Sequence, residues 1–439
     1  MRFLYLLVKL TASYSLRIYF PRNLKINAPK RFFGRTIYVS NHPSSFMDPI
    51  VIGTFQRPLV FFMTRSDIFT PIMKPILWLT QMLPIYRQLD GDGAVGKNSD
   101  VFKSCTRVLN FGRNLLIFGE GFTDDVFVRR LKPVKKGAAR IGFTALESMQ
   151  WKKKVYMAAI GVNYGNPNYL GSDVVLSNSE RFCLNDYKEM YLENPNKAIT
   201  EVTRRIEGLM REQITHVADP EWTNFHEEVI QLQRNGLHPE NTDFSIPLKT
   251  RYENSKKVAN WLNNTDLNNP ALQQLKKELS TYFEFLKQKK IPDNFVVEFA
   301  ANGKLSTQKE FIYLCLLAPL YIVGKWWFVF PYWLVKSFTE KTFKRPVFWS
   351  SVKMMLGMLA MALWFCPLVA ILNHFLFKNG WIAVGFYFLL PLIGVVIYNY
   401  QRKIKIYRTK KGLLNVNLSQ IQRKREDLEK RIKQLIERP

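Results

Sequence analysis

The residues best placed for chemistry follow a short β-branched run, Thr36-Ile37-Tyr38-Val39-Ser40. Next come Asn41-His42-Pro43-Ser44-Ser45-Phe46-Met47-Asp48-Pro49. A proline brings no N–H to a ladder, so Pro43 ends the strand and leaves His42 at its tip, facing outward. Ser44 or Ser45 can cap a helix that starts next. Asp48 lies about a turn and a half further on, where a folded-back loop brings its carboxylate to the far ring nitrogen of His42. That pairing fixes the tautomer and stabilises the imidazolium formed when the ring takes up a proton. The chemistry expected is general-base catalysis, which contributes ~10²–10⁴ in rate. A histidine after a strand is, taken alone, more often structural than catalytic.

A second block changes that balance. Leu115-Leu116-Ile117-Phe118 reads as a strand ending at Gly119-Glu120-Gly121-Phe122-Thr123-Asp124-Asp125. The flanking glycines let backbone amides approach a ligand closely. Arg129, Arg130, Lys132, Lys135 and Lys136 follow, and a glycine-rich turn followed by cations suits a phosphate group. The plain alternative is a β-turn with solvated charges.

The elements that must hold these residues form an α/β domain over 31–195, in which short apolar runs alternate with helical stretches. Candidate strands are Thr36–Ser40, Leu59–Met63, Leu115–Phe118 and Val155–Val162. Residues 196–308 turn polar and helical, an accessory region. The tail, 401–439, is basic, and Leu418, Ile421, Arg425, Leu428, Ile432 and Leu435 recur at alternating three and four spacing, the pattern of a helix with a partly apolar seam. Four cysteines stand far apart with no CxxC pair, which argues against a zinc site and against a disulfide framework.

The 439 residues carry 63 Lys and Arg against 35 Asp and Glu, a surplus of +28 that requires an anionic partner. Met354–Phe377 contains no Asp, Glu, Lys or Arg, enough helix to cross ~30 Å of hydrocarbon. Two transmembrane helices are expected, 352–377 and 379–400, with only Lys378 charged between them. Lys341, Lys344, Arg345 and Lys353 precede the pair and Arg402, Lys403, Lys405 and Arg408 follow it, so the positive-inside rule places the catalytic domain and both termini on the cytoplasmic face. In 309–337, Pro319, Lys325 and Pro331 interrupt an aromatic run, the pattern of a membrane-associated segment, a bent or re-entrant hairpin lying at the interface. Residues 1–30 read as an uncleaved interfacial helix broken by Arg2, Lys9 and Arg17. The charge clusters beside apolar spans, which favours anionic headgroups over nucleic acid as the partner.

In combination the two blocks resemble the glycerolipid acyltransferases, the family of glycerol-phosphate and lysophosphatidic acid acyltransferases. The histidine–aspartate motif matches Asn41 to Asp48, and the arginine-bearing acceptor motif matches Leu83-Pro84-Ile85-Tyr86-Arg87. The Pro-Glu-Gly-x-Ser/Thr motif matches Gly119 to Thr123, and the last, hydrophobic motif matches Ala159 to Tyr164. Lys135-Lys136-Gly137-Ala138 is similar to the segment that follows the third motif. The resemblance covers Phe32 to Tyr164 and departs from the family twice. Five residues rather than four separate His42 from Asp48, a spacing similar to the yeast-type glycerol-phosphate and dihydroxyacetone-phosphate acyltransferases, and Gly119 replaces the usual proline.

The resemblance implies a mixed sheet flanked by helices, and a reaction in which His42 deprotonates an acceptor hydroxyl that attacks a fatty acyl thioester, with Asp48 orienting the imidazole. Arg87, helped by Lys135, would bind the acceptor's phosphate. Glu120, Gly121 and Thr123 would shape the acceptor site, with Asn41 and Gly119 in support. Acyl-CoA or an acyl carrier protein serves as co-substrate, and no other cofactor or metal is expected. The partners implied are the bilayer, the thioester and a phosphate-bearing glycerolipid. Another lysolipid or an amino-acid lipid as acceptor stays open, as does a non-catalytic membrane scaffold. Gly91–Lys97 fits the first seven positions of a P-loop, but Asn98 stands where Mg²⁺ needs Ser or Thr, so ATP is not expected. His226-Glu227-Glu228 lacks the second histidine of a zinc-protease helix.

Overall fold

The computed structural model describes residues 2–66, 70–71, 73–85, 98–241 and 243–437. They divide into two compact units, one of Met1–Thr223, Gly236–Pro239 and Asp243–Asn263, the other of Asn224–Asn235, Glu240–Thr242 and Asn264–Pro439.

The first unit is built on an eight-stranded mixed sheet. Its strands are β1 (Arg22–Ile26), β2 (Thr36–Ser40), β3 (Val60–Arg65), β4 (Met82–Ile85), β5 (Asn114–Phe118), β6 (Tyr156–Tyr164), β7 (Asp173–Asn178) and β8 (Phe182–Cys183). They lie in the order β1-β7-β6-β2-β5-β3-β4, with β8 beside β6. β2 is central and parallel to both neighbours, with Ser40 opposite Phe118 on β5 and Ile160 on β6. Only β6 runs antiparallel to β7 and β8. All five residues of β2 are buried, as a strand covered on both faces requires.

The helices of this unit are α1 (Arg2–Tyr19), α2 (Met47–Phe55), α3 (Met73–Leu79), α4 (Asn98–Asn110), α5 (Gly137–Ser148), α6 (Lys188–Glu193) and α7 (Pro195–Gln213). Leu109, Ile141, Phe143 and Leu146 join Ile37, Val39, Leu115 and Met157 in one core. Two expected boundaries move. The first segment does not end apart from the sheet domain at 30: Arg22–Ile26 adds β1 to the sheet beside β7, and α1 packs on α2 and buries Leu16, followed by the buried Phe20. Nor does the domain stop at 195, because α7 sends Ala198, Val202, Ile206 and Met210 into the same core. Polar outer positions disguise an amphipathic helix that covers a sheet.

Residues 196–308 are therefore not one accessory region. The second unit holds α8 (Thr223–Gln233), whereas the helix α9 (Leu248–Asn264) joins the first; α10 (Pro270–Gln288) and α11 (Asp293–Asn302) return to the second. Then come three long helices, α12 (Gln308–Thr342), α13 (Trp349–Leu372) and α14 (Gly380–Leu413), and finally α15 (Ser419–Glu437). A π-helical turn, Asn373–Phe377, extends α13, and the three stretches 308–342, 346–377 and 380–413 are long and apolar enough to cross a membrane. The expected re-entrant hairpin at 309–337 is instead one unbroken helix that contains Pro319 and Pro331. Among apolar neighbours the backbone has no water to turn to, so a helix keeps its remaining hydrogen bonds through a proline.

The spacing expected of the tail is observed, and its seam is covered by the chain itself. Leu418, Arg425, Leu428 and Ile432 are buried where α15 packs on α10 and α11. Arg425 Nε lies 3.1 Å from Asp293 Oδ1, its Nη1 lies 2.8 Å from Glu429, and its other terminal nitrogen donates to the Leu232 carbonyl. The Tyr282 hydroxyl donates to Asp293 Oδ1 at 2.7 Å. Removing one partner of a buried pair strands the other, so Arg425→Ala should destabilise this unit by about 3–5 kcal/mol. Thermal unfolding of the detergent-solubilised chain should show it as a lower midpoint, while Arg423→Ala, at an exposed position of the same helix, should not move it.

Candidate active site

Parallel strands aim their carboxyl ends at one edge of the sheet, where α/β proteins bind ligands. β2 and β5 are such neighbours, and both sequence motifs begin where they end. Beyond Ser40, Asn41 prolongs the β2–β6 ladder with its side chain: it donates to the Val162 carbonyl at 3.0 Å and accepts the Val162 N–H at 2.8 Å. His42 is thereby held at a rigid strand tip. Ser45 adopts φ +47, a left-handed conformation that turns the loop back, and α2 then starts with Asp48 in its first turn. Neither Ser44 nor Ser45 caps that helix through its hydroxyl, contrary to expectation. Asp48 instead accepts the Ser44 N–H at 2.8 Å.

The expected pairing is present. His42 Nδ1 lies 2.8 Å from Asp48 Oδ2. A carboxylate only accepts, so Nδ1 carries the proton and Nε2 keeps its lone pair. Among the described residues nothing hydrogen-bonds Nε2. The ring stacks on Phe118, centroids 4.0 Å apart and 17° from parallel, and 19% of the side chain is exposed while the Asp48 side chain is fully buried. The second carboxylate oxygen, Oδ1, accepts the hydroxyl of Tyr164 at 2.9 Å. Tyr164 is itself buried against Phe20 and ends β6. It belongs to the last sequence motif, yet its hydrophobic neighbours concealed a polar role. Burial and the adjacent Asp48 charge raise its pKa well above the ordinary value, so its hydroxyl stays a donor.

Glu120 faces the same loop. Its Oε2 lies 3.4 Å from the His42 backbone N and 3.8 Å from Lys132 Nζ, which also pairs with Asp124 at 3.0 Å. Burial pushes the Glu120 carboxyl up to about 7, and the partial offset comes first from Lys132. Gly119 explains the absent proline: its N–H donates to the Ser40 carbonyl at 3.1 Å, and a Cβ there would sit 2.9 Å from Val39. Gly121 adopts φ +76 beside the Lys135 side chain.

The structure brings Asn41, His42, Asp48, Gly119, Glu120 and Gly121 to one end of the sheet. Thr123 is buried in the following loop, and Lys135 is exposed beside Gly121. Arg87 and Gly91–Lys97 lie outside the described residues. Arg129 is not available to an anion, because its guanidinium donates to the carbonyls of Tyr164 at 2.7 Å and Gly165 at 3.1 Å. Among the described residues no three His, Cys, Asp or Glu side chains cluster so as to hold a metal.

An imidazole steadied by a buried carboxylate, at the end of a central strand of a mixed sheet, is an arrangement chemically able to take up a proton. Residues 22–162 match the family model described as Acyltransferase, and this segment is an acyltransferase-family domain. There is also a likeness to the crystal structure of the 1-acyl-sn-glycerophosphate (LPA) acyltransferase PlsC from Thermotoga maritima, with TM-score 0.32 and 16% identity over 46% of this chain and 80% of that one. No curated protein sequence matches the chain.

A carboxyl whose pKa is higher folded than unfolded favours folding when protonated, and that contribution is lost as pH rises. For Glu120 the window runs from the ordinary 4.5 to about 7. Glu120→Gln should therefore be more stable relative to the parent at pH 8 than at pH 5, by on the order of 2–3 kcal/mol. Denaturant midpoints at the two pH values measure this difference.

Proposed function

We propose that the chain is a membrane-bound O-acyltransferase that moves a fatty acyl group from an acyl thioester to the hydroxyl of glycerol phosphate or lysophosphatidate in phospholipid synthesis. The observation that carries this reading is His42, with Nδ1 bonded to Asp48 at 2.8 Å and Nε2 open at the strand tip. Nε2 takes the acceptor's hydroxyl proton while the oxygen attacks the thioester carbonyl. The tetrahedral intermediate then expels the thiolate, and the proton on His42 passes to the sulfur. Asp48 stabilises the imidazolium between those two steps. No acyl-enzyme is required.

Arg87 and Lys135 bind the acceptor phosphate in this reading, since a guanidinium fork matches phosphate oxygens and an ammonium adds charge. Glu120, Gly121 and Thr123 shape the acceptor's side of the site. Acyl-CoA or acyl carrier protein is the donor, with no further cofactor. The bilayer supplies the lipid, and in this reading the catalytic domain and both termini face the cytoplasm, in keeping with the cations that flank the apolar helices. Leu6, Leu7 and Leu10, exposed on α1, suit contact with the lipid interface.

The test supplies labelled acyl-CoA or acyl carrier protein with glycerol 3-phosphate, lysophosphatidate and other lysolipids. The parent should turn over a phosphate-bearing acceptor, and His42→Ala should lose about 10²–10⁴ in kcat. Turnover surviving that substitution would remove the base. Tyr164→Phe leaves Asp48 charged but short of a donor, and a fall in kcat of roughly tenfold is expected.

A further inference from the structure

Three consecutive crossings of a bilayer would leave the start of α12 and the end of α14 on opposite faces. The contacts bring those ends together. Lys410, near the end of α14, is buried with Nζ 3.0 Å from Glu310 and 2.6 Å from Glu298. The Tyr407 and Phe311 rings lie 6.3 Å apart, and Tyr400 stacks on Tyr321 at 4.2 Å. α14 thus follows α12 in the antiparallel sense as far as Gly394, where a Cβ would be 2.9 Å from Phe328, near the middle of α12. The other half of α12 belongs to α13. Lys353 pairs with Glu340 at 2.6 Å, and the Phe365 and Phe328 rings are 4.9 Å apart.

Straight continuations of α13 and α14 along α12 would carry the end of one and the start of the other about 40 Å apart. Yet Phe377 and Phe386, on either side of the turn at Lys378 and Asn379, have rings 5.3 Å apart. Both helices must therefore leave α12 near its middle. Pro367 in α13 and Pro391 in α14 stand where they leave, and proline is the commonest cause of a sharp bend. The departing stem, residues 366–393, contains no Asp, Glu, Lys or Arg except Lys378 at its tip. Each leg is ~18–21 Å long at 1.5 Å per residue, shorter than a ~30 Å hydrocarbon core. Apart from Lys325 near its middle, the base carries its cations toward its two far ends, Lys336, Lys341, Lys344 and Arg345 at one and Lys403, Lys405, Arg408 and Lys411 at the other.

We propose that this unit binds the bilayer from one face. α12 lies along the near leaflet with both ends at the same surface, and the stem is the lipid-embedded element, directed with its Lys378 turn toward the far side. The three helices then cross an even number of times. The cationic ends of the base sit at anionic headgroups, and the stem, uncharged apart from Lys378 at its tip, reaches into the acyl chains.

The test places single cysteines in the full-length chain in sealed membrane vesicles and adds a membrane-impermeant maleimide from either side, with the parent as blank. Lys344→Cys and Lys411→Cys, both exposed, should label from the same side, and Lys378→Cys should not label from that side. Labelling of positions 344 and 411 from opposite sides would overturn the proposal. So would labelling of position 378 from the side that labels 411, because the stem would then lie outside the lipid. Should either cysteine variant fail to accumulate, Arg345→Cys and Arg408→Cys make the same comparison. None of these outcomes depends on acyl transfer.

Discussion

A carboxylate buried without solvent is tolerable only when donors surround it, and Asp48 is the point at which this requirement organises the first unit. Its three donors come from separate parts of the chain: the Ser44 N–H from the loop, Nδ1 of His42 from the tip of β2, and the Tyr164 hydroxyl from the end of β6. Each in turn needs its own support. Asn41 ties the β2 tip to β6, and Ser45 accepts a left-handed backbone so that the loop can turn back. Phe20 and the Arg129 clamp on the Tyr164 carbonyl hold the tyrosine. The orientation of one imidazole therefore rests on residues more than a hundred positions away.

The second carboxylate shows what happens without that donor set. Glu120 is as deeply placed, yet its backbone contact to His42 is long, at 3.4 Å, and Lys132 is divided between it and Asp124. Burial then dominates and raises its pKa toward neutrality. Two acids a few ångströms from one histidine thus have different work open to them: Asp48 can hold an imidazolium through an ion pair, and Glu120 is poised to exist in either protonation state near pH 7.

Much of this site was legible because its motifs fall where strands end, and strand ends are marked by glycine and proline. β2, β5 and β6 are short apolar runs with clear stops, so His42, Asp48 and Glu120 could be placed from the residues alone. β7 was missed because its three central apolar residues, Val174, Val175 and Leu176, are too few to announce a strand; only pairing with β1 and β6 makes it one. Tyr164 was assigned to a hydrophobic motif, since nothing in a local window tells a tyrosine that packs from one that donates. The hairpin expected at 309–337 failed for a different reason. Proline rules derived in water overstate its power to end a helix among apolar neighbours, and Pro319 and Pro331 lie inside α12.

Charge counting has a similar blind spot, and correcting it sharpens the link to lipid. Several of the cations behind the +28 surplus are used within the fold. Arg129 clamps backbone carbonyls, Arg251 is buried with Asp173 at 3.6 Å, Arg425 holds Asp293, and Lys410 holds Glu298 and Glu310. None of these four can meet an outside anion. Exposed cations do flank the apolar helices, at Lys341, Lys344 and Arg345 and again at Arg402, Arg408 and Lys411. A nucleic-acid surface would need its cations spread along a groove or one face. Cations set toward the ends of apolar helices match a headgroup layer bordering hydrocarbon, so their placement, more than their number, points to the membrane.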